Sequence, residues 1–402
     1  MNRGDTEIMR GIAAGDHEIV EDPGECDVAV INSCGVVQRT ENKVKRRSRA
    51  LQSNGKKIVI AGCLPRINFA AVQEADGILS PGNLNLIGDA LDAISRGERY
   101  VAVAPRRLDK THLPRSRGDG VVAVVSISEG CLGSCSYCAT RKARGGLKSF
   151  DPEGILRDVR QAVASGYREI QLTAQDTAAY GLDMDIRLPE LLWSLVEIEG
   201  DFRLRLGMMN PGNALPIFKD LLKIFCCDKL YTFLHMPVQS GDDAILEKMN
   251  RGYSVEEFTL MAKAFKKLGG TLSTDVIVGY PGEDQESFLK TYRLIEEVRP
   301  DILNIKRFSP RPGTMAGRLK DMPDRLKKER SRALTRLHRR ISLEENRKYL
   351  GREMRVLVTE EGKGSTVLAR TDAYRQVVTS NGVLGEFKSV KIRDATPTYL
   401  VA

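Results

Sequence analysis

Cys131-Leu-Gly-Ser-Cys135-Ser-Tyr-Cys138 follows directly on an apolar run at residues 121–127 and offers three thiolates, spaced C-x-x-x-C-x-x-C, with no fourth. A structural zinc site is tetrahedral and commonly assembles from C-x-x-C pairs, four ligands in all. A cubic 4Fe-4S cluster held by three cysteines instead keeps one iron open to a further ligand, and the open iron is where chemistry occurs. Three thiols on a glycine-containing turn are poor core material. The cluster is therefore the expected occupant, with a zinc loop or simple buried thiols as the alternative.

The 402 residues suffice for two or three domains, and 42% hydrophobic with 29% charged residues describes an ordinary folded chain rather than a disordered one. No apolar run reaches the roughly eighteen residues a membrane span needs, and no charged start precedes an apolar signal segment. A cytoplasmic protein with no membrane partner is the expectation. Eight cysteines are too sparse for a disulfide scaffold, and reducing compartments suit thiolate-bound iron. The net charge of +9 points to a polyanion, and three basic runs concentrate it. Lys43, Lys45, Arg46, Arg47 and Arg49 crowd one helix; Arg106, Arg107, Lys110, Arg115 and Arg117 line a proline-containing stretch; residues 325–348 form a long arginine-rich helix. Each run alone reads as a solvated face, while three together favour RNA, whose phosphates bind by releasing counterions.

Strand and helix signals alternate over residues 28–104: strands near 28–32, 57–61 and 76–79, helices from about 38 and over 83–96. That is the pattern of a small doubly wound α/β sheet. Cys34 and Cys63 each fall just past the carboxyl end of a strand, on the sheet edge where ligands collect, so the two thiols can converge on one metal group. Residues 105–119, with Pro105, Pro114 and Gly118, read as a linker. A second alternation follows, with strands near 121–127, 169–173, 203–208, 230–236, 274–278 and 303–308. Asp151-Pro152 opens one intervening helix and Ser254 with Glu257 forms a capping box at another. Six βα units predict a partial (β/α)6 barrel with function at the carboxyl ends of its strands. From about residue 350, short strands split by glycine turns predict a small all-β barrel.

The cysteine spacing resembles the signature of radical S-adenosylmethionine enzymes. The resemblance implies that the cofactor chelates the open iron, that Tyr137 packs near its adenine, and that its reductive cleavage yields a 5'-deoxyadenosyl radical. The three-part order resembles the methylthiotransferases: an N-terminal cluster domain (residues 1–104), the linker (105–119), a radical S-adenosylmethionine core (120–349) and a C-terminal TRAM module (350–402), an RNA-binding barrel. Gly351-Arg-Glu-Met-Arg-Val-Leu-Val358 and Ala395-Thr-Pro-Thr-Tyr-Leu400 are similar to the opening and closing TRAM strands. Arg205-Leu-Gly-Met-Met-Asn-Pro211 resembles the archaeal and eukaryotic branch acting on threonylcarbamoyladenosine at tRNA position 37.

From this resemblance, two 4Fe-4S clusters and S-adenosylmethionine are the expected cofactors, with the tRNA anticodon arm and an electron donor such as ferredoxin or flavodoxin as partners of a monomer. Cys131, Cys135 and Cys138 would hold the radical cluster, and Cys34 and Cys63 the accessory one. Gln175 and Asp176, after the second strand, would face the methionine end of the cofactor, although an N-cap and turn accounts for the same pair. Gln239, Ser240, Asp275 and Gly279 end later strands and would line the barrel mouth; His235 reads as a satisfied core histidine, Cys226 and Cys227 as packing residues. The resemblance also implies a strand with a first accessory-cluster cysteine ahead of a helix at residues 5–13. This chain opens on that helix, so the accessory cluster is expected to lack its first ligand, a start placed too far downstream being the favoured explanation. Two other readings stay open: a tRNA-binding protein without sulfur insertion, and a methylthiotransferase for a protein side chain.

Overall fold

A computed structural model describes residues 1–35 and 37–402, which divide into two compact units. The first comprises Met1–Gly118, Ser128–Gly154 and Ser309–Arg318. Its centre is a parallel sheet in the order β1 (Val28–Ser33), β2 (Lys57–Gly62), β3 (Gly77–Leu79), β4 (Tyr100–Ala102). The apolar run Ile58, Val59, Ile60, Ala61 makes β2 buried on both faces, as a parallel strand between helical layers must be. Met9, Ala13, Leu84, Ile87, Ala90, Leu91 and Ile94 cover one face together with Val59, Ala61 and Leu79. Val44 and Leu51 of the helix Gln38–Ser53 cover the other, against Ile58, Ile60 and Ile78. Helices on both faces are the doubly wound arrangement expected.

The stretch carrying Arg106 to Arg117 is basic surface only in part: Arg106 and Arg107 are exposed, while the later cations turn inward. Lys110 is wholly buried and Arg117 faces Glu7 at 3.6 Å. The chain here runs along the helix Asn2–Ala13, where Ser116 N donates to Glu7 O at 2.9 Å. Counting charges in a sequence does not reveal which of them have buried partners.

The second unit comprises Asp119–Ile127, Ile155–Phe308 and Leu319–Ala402. Its strand β5 (Val122–Ser126) precedes a return of the chain to the first unit, where β6 (Ser128–Glu129) and β7 (Lys148–Ser149) pair antiparallel. Parallel pairing then joins β5 to β8 (Glu169–Thr173) and β8 to β9 (Arg203–Leu206), and likewise β10 (Phe233–His235) to β11 (Thr271–Val278) and β11 to β12 (Ile302–Arg307). A bridge between Leu204 and Leu230, with Tyr231 N donating to Leu204 O at 2.9 Å, connects the two halves. Six parallel strands in chain order give the open barrel. Ile170, Leu172, Leu204 and Leu206 point outward, each no more than 1% exposed, so Glu169, Gln171, Arg203 and Arg205 point inward by the two-residue period of a strand. The expected box at the helix Val255–Lys266 is present, Glu257 N donating to Ser254 Oγ at 3.1 Å and Ser254 N to Glu257 Oε2 at 2.8 Å.

The C-terminal β module runs β13 (Glu353–Glu361), β14 (Thr366–Thr371), β15 (Gln376–Ser380), β16 (Phe387–Lys391), β17 (Asp394–Ala395) and β18 (Leu400–Val401), in sheet order β16-β13-β14-β15-β18-β17. Its core is Val356, Val358, Val367, Ala369, Val377, Val390, Ile392 and Leu400. The turn after β14 reaches the amino ends of the barrel strands. Thr232 N donates to Asp372 O at 2.9 Å, Asp372 receives Arg203 Nε at 3.2 Å, and Arg375 pairs with Asp301. Tyr374, at φ +61°, sets its ring 4.8 Å from that of Tyr231 and 4.9 Å from that of Phe233, and its hydroxyl donates to Glu169 at 3.0 Å. The left-handed backbone of a bulky residue is strained, and this dense packing is what sustains it.

Replacing Tyr374 by alanine is expected to destabilise the chain by about 3 kcal/mol, the usual loss for a buried aromatic, and by phenylalanine by only about 1 kcal/mol. Denaturant unfolding of the full-length variants reads both. Equal losses would place the energy in the hydroxyl rather than in the ring.

Candidate active site

In the first unit, the cysteine loop leaves β6 and ends at the helix Thr140–Arg144. Its backbone folds onto its own sulfurs: Gly133 N donates to Cys131 Sγ at 3.3 Å and Thr140 N to Cys138 Sγ at 3.4 Å. A Cβ at Gly133 would lie 3.4 Å from Cys131 Sγ and 3.7 Å from Cys135 Sγ, which places two sulfurs around one glycine. Cys131, Cys135 and Cys138 line a common cavity of about 310 Å³. They do not converge on a point: among the described residues no three His, Cys, Asp or Glu side chains are gathered closely enough to hold one metal ion. Three thiols around a cavity, sulfurs already serving as hydrogen-bond acceptors, suit a body with several irons.

Gly313, Thr314 and Met315 complete that cavity. They belong to a segment held down by Ala316 N donating to Ser136 O at 2.8 Å and by Arg311, buried between Gln38 Oε1 (2.7 Å) and Glu41 Oε2 (2.8 Å). Sequence reasoning missed these residues. The available signal was Pro310-Arg-Pro-Gly313, a stiff turn after the sixth strand. A larger depression of about 450 Å³, lined by Arg160, Val163, Ala164, Ser194, Glu197 and Ile198 in the second unit, lies where two outer helices end and holds no thiol.

Cys34 and Cys63 come together as their strand-end positions predict. Ser33 pairs with Gly62, and Cys63 N donates to Ser33 O at 2.9 Å, which sets the two cysteines side by side. Cys63 is 5% exposed and packs on Ile67, Ala139 and Ala143, the last two within or beside the helix that follows Cys138. Burial pushes its thiol up, and the neighbouring Arg144 guanidinium opposes that. Arg144 belongs to a buried set of four charges: it donates to Asp5 Oδ2 at 2.6 Å and to Glu129, while Lys110 Nζ reaches Asp5 Oδ1 at 2.7 Å and Glu129 Oε1 at 3.0 Å. Burial favours a protonated Asp5, but the Arg144 and Lys110 charges outweigh it and hold the carboxyl well below the ordinary range.

In the second unit, two sequence candidates prove to be engaged within the chain. Asp176, 2% exposed, accepts from Asn210 N (2.9 Å), Asn213 Nδ2 (2.7 Å) and Ala178 N (3.2 Å). It caps the turn that follows it and pins the turn after β9, which is the N-cap alternative. Ser240, 1% exposed, faces the barrel wall, accepting from Asp242 N at 3.2 Å with Thr291 Oγ1 3.5 Å away. Gln239, at φ +69°, clasps β11 by its backbone, donating to Asp275 O and accepting from Ile277 N. Gly279, at φ +75°, donates to Glu283 at 3.1 Å, and a Cβ there would strike the Lys327 stem at 2.2 Å. Asp275 does face the interior: its Oδ1 lies 3.0 Å from His235 Nε2 and accepts from Asn304 Nδ2 at 2.8 Å. Burial would push this carboxyl up, but the bonds and charge from His235 and Asn304 win and lower it. His235 is thus satisfied, as expected, although by an inward carboxylate. Gln175 and Tyr137 are half-buried. Cys226, expected to pack, is exposed at the end of its helix.

A thiolate loop following the first of six parallel strands defines the class of radical S-adenosylmethionine enzymes, and residues 125–295 match the Radical SAM superfamily. Residues 1–79 match the uncharacterized protein family UPF0004 and residues 347–402 the TRAM domain. Among solved structures, the radical S-adenosylmethionine methyltransferase TsrM from Kitasatospora setae superposes with a TM-score of 0.57 at 14% identity, over 78% of this chain and 73% of that one, a likeness of fold. The chain is 50% identical to an Archaeoglobus fulgidus protein named "Probable threonylcarbamoyladenosine tRNA methylthiotransferase", over its whole length and 95% of that protein. It is 35% identical to the human threonylcarbamoyladenosine tRNA methylthiotransferase, over 94% of this chain and 67% of the human one. The chain belongs to the threonylcarbamoyladenosine tRNA methylthiotransferase family. Among the described residues no helix is long and apolar enough to cross a membrane.

Arg144→Met strips two buried carboxylates of a partner, and breaking a buried pair in this way costs about 3–5 kcal/mol. The double variant Asp5→Asn/Arg144→Met leaves the Lys110–Glu129 pair intact and is expected to recover part of the loss. Urea unfolding midpoints compare the two, and no recovery would mean that charge is not what makes Arg144 matter.

Proposed function

We propose that this protein attaches a methylthio group to carbon 2 of threonylcarbamoyladenosine at tRNA position 37. The observation that carries this reading is the cavity lined by Cys131, Cys135 and Cys138 in a chain 50% identical along its whole length to a relative bearing that name. The hydrogen on carbon 2 has no usable acidity, so no side-chain base within this chain can remove it by general-base catalysis. Bound at the three thiolates, a 4Fe-4S cluster and S-adenosylmethionine supply one-electron chemistry capable of breaking such a bond.

The chain's own residues hold and orient. Cys131, Cys135 and Cys138 are the cluster ligands, and the Gly133 and Thr140 amides donate to the sulfurs of Cys131 and Cys138. Tyr137 packs against the nucleoside part of the cofactor, and Gln175 and Asp275 are its polar contacts. Gln239 and Gly279 shape the approach by backbone. Asp176 and Ser240 act as positioning residues, because their polar atoms are engaged within the wall. Cys34 and Cys63 are this chain's ligands to an accessory 4Fe-4S cluster, with Arg144 beside Cys63 countering the thiolate charge.

The functional domains are residues 1–104, 120–349 and 350–402, with 105–119 between the first two. The TRAM module and the exposed arginines Arg325, Arg332, Arg336 and Arg339 of the helix Asp324–Arg347 grip the anticodon arm through its phosphates. A ferredoxin or flavodoxin serves as donor to a cytoplasmic monomer.

Mass spectrometry of tRNA nucleosides tests the reading: cells lacking the gene should lose the methylthio form of threonylcarbamoyladenosine and keep the parent nucleoside. Unchanged methylthio-nucleoside would overturn it. Protein reconstituted without oxygen should hold about eight irons per chain, falling to about four in a Cys131→Ala/Cys135→Ala/Cys138→Ala variant and, independently, in a Cys34→Ala/Cys63→Ala variant. About four irons before any substitution would remove the accessory cluster.

A further inference from the structure

Arg205 occupies an unusual place. Its register partner on β8 is Gln171, and its neighbours Leu204 and Leu206 are buried on the outer face, so its side chain lies on the inner face of the barrel. The guanidinium stacks 4.8 Å from the ring centre of Phe233 and 5.5 Å from that of Tyr374. Those rings steady a cation without neutralising it. Its Nε is buried with no hydrogen-bond acceptor.

The nearby carboxylates are engaged elsewhere. Glu169 accepts from Gln171 Nε2 (2.6 Å), Tyr374 OH (3.0 Å) and Tyr231 OH (3.3 Å). Asp372 takes Arg203, and Asp275 takes His235 and Asn304. Among the described residues Arg205 therefore has aromatic faces and no anion. A partly buried guanidinium is costly to leave so, and its forked donors match a carboxylate.

We propose that Arg205 binds a carboxylate brought in from outside, namely that of the threonylcarbamoyl group, and so makes this barrel selective for the modified base. The inference rests on the function proposed above. It deepens it in one respect: the threonyl carboxylate is an anionic group that unmodified adenine lacks, and a site built to pair with it rejects the base without it. The other small-molecule carboxylate at hand is that of S-adenosylmethionine, and the test separates the two.

Full-length protein reconstituted without oxygen is titrated with three anticodon stem-loops: one bearing threonylcarbamoyladenosine, one bearing its neutral methyl ester, and one bearing adenosine. Fluorescence anisotropy is expected to show the free acid bound about 10- to 100-fold more tightly than the ester. Arg205→Gln should reduce that ratio to near one while leaving the affinity for the adenosine stem-loop and for S-adenosylmethionine unchanged. Arg205→Lys, which keeps charge but not the fork, should retain part of the ratio and guards against misfolding as the cause. An Arg205→Gln protein that still prefers the acid, or one whose S-adenosylmethionine affinity falls instead, overturns the inference while methylthiolation by wild type leaves the function standing. Wild-type protein that methylthiolates none of the three overturns both.

Discussion

Four charges with almost no access to water, Asp5, Lys110, Glu129 and Arg144, are the constraint on which the first unit depends. They come from the opening helix, the stretch after β4, the short strand β6 and the helix that follows the cysteine loop. Each carboxylate meets both cations, so the set is neutral, and Arg144 also donates to Asn2 Oδ1 at 3.1 Å. Desolvating four charges is expensive, and their mutual attraction repays the cost only when all are present and well placed. The return is positional. With Glu129 and Arg144 fixed on either side of residues 131–138, both ends of the thiolate loop are anchored, and Arg144 brings the same restraint to Cys63.

The barrel solves a related problem differently. Polar groups on its inner face satisfy one another, Gln171 with Glu169 along one strand, and His235 with Asp275 and Asn304 across three. A lumen lined this way resists collapse, because filling it with apolar side chains would strand the polar groups already there. Asp176 and Gln239 fasten the turns at the carboxyl ends of β8 and β10, so the loops around the lumen are held by the chain itself.

Much of this was legible in the sequence. The thiolate spacing, the alternation of strands and helices, the capping box at Ser254 and the strand-end positions of Cys34 and Cys63 are local signals, and local geometry follows from them. Illegible were the features that depend on which distant groups meet. Lys110 looked like one more surface cation, and its burial required knowing that Asp5 and Glu129 would be there. Asp176 and Ser240 have the side chains that ligand contacts need, but the same atoms serve a turn equally well, and only the positions of Asn210, Asn213 and Asp242 decide between the roles. Residues 309–318 carry a proline and glycine signature that announces a turn without saying what it covers. The aromatic at position 374 falls between two strands where turn chemistry predicts a small residue, so its insertion among Tyr231 and Phe233 was invisible until the fold was known.

That insertion has a structural corollary. The tip of one β-hairpin closes the base of a cylinder built from a different part of the chain, so the TRAM module is not an appendage on a tether. Load applied to it passes into the first residues of the strands, through Glu169, Arg203 and Asp301, rather than into a hinge. Exchange of this module between relatives would have to carry the stopper along with it, since a borrowed barrel of the same fold but with a bare hairpin would leave the cylinder uncorked and flooded from beneath.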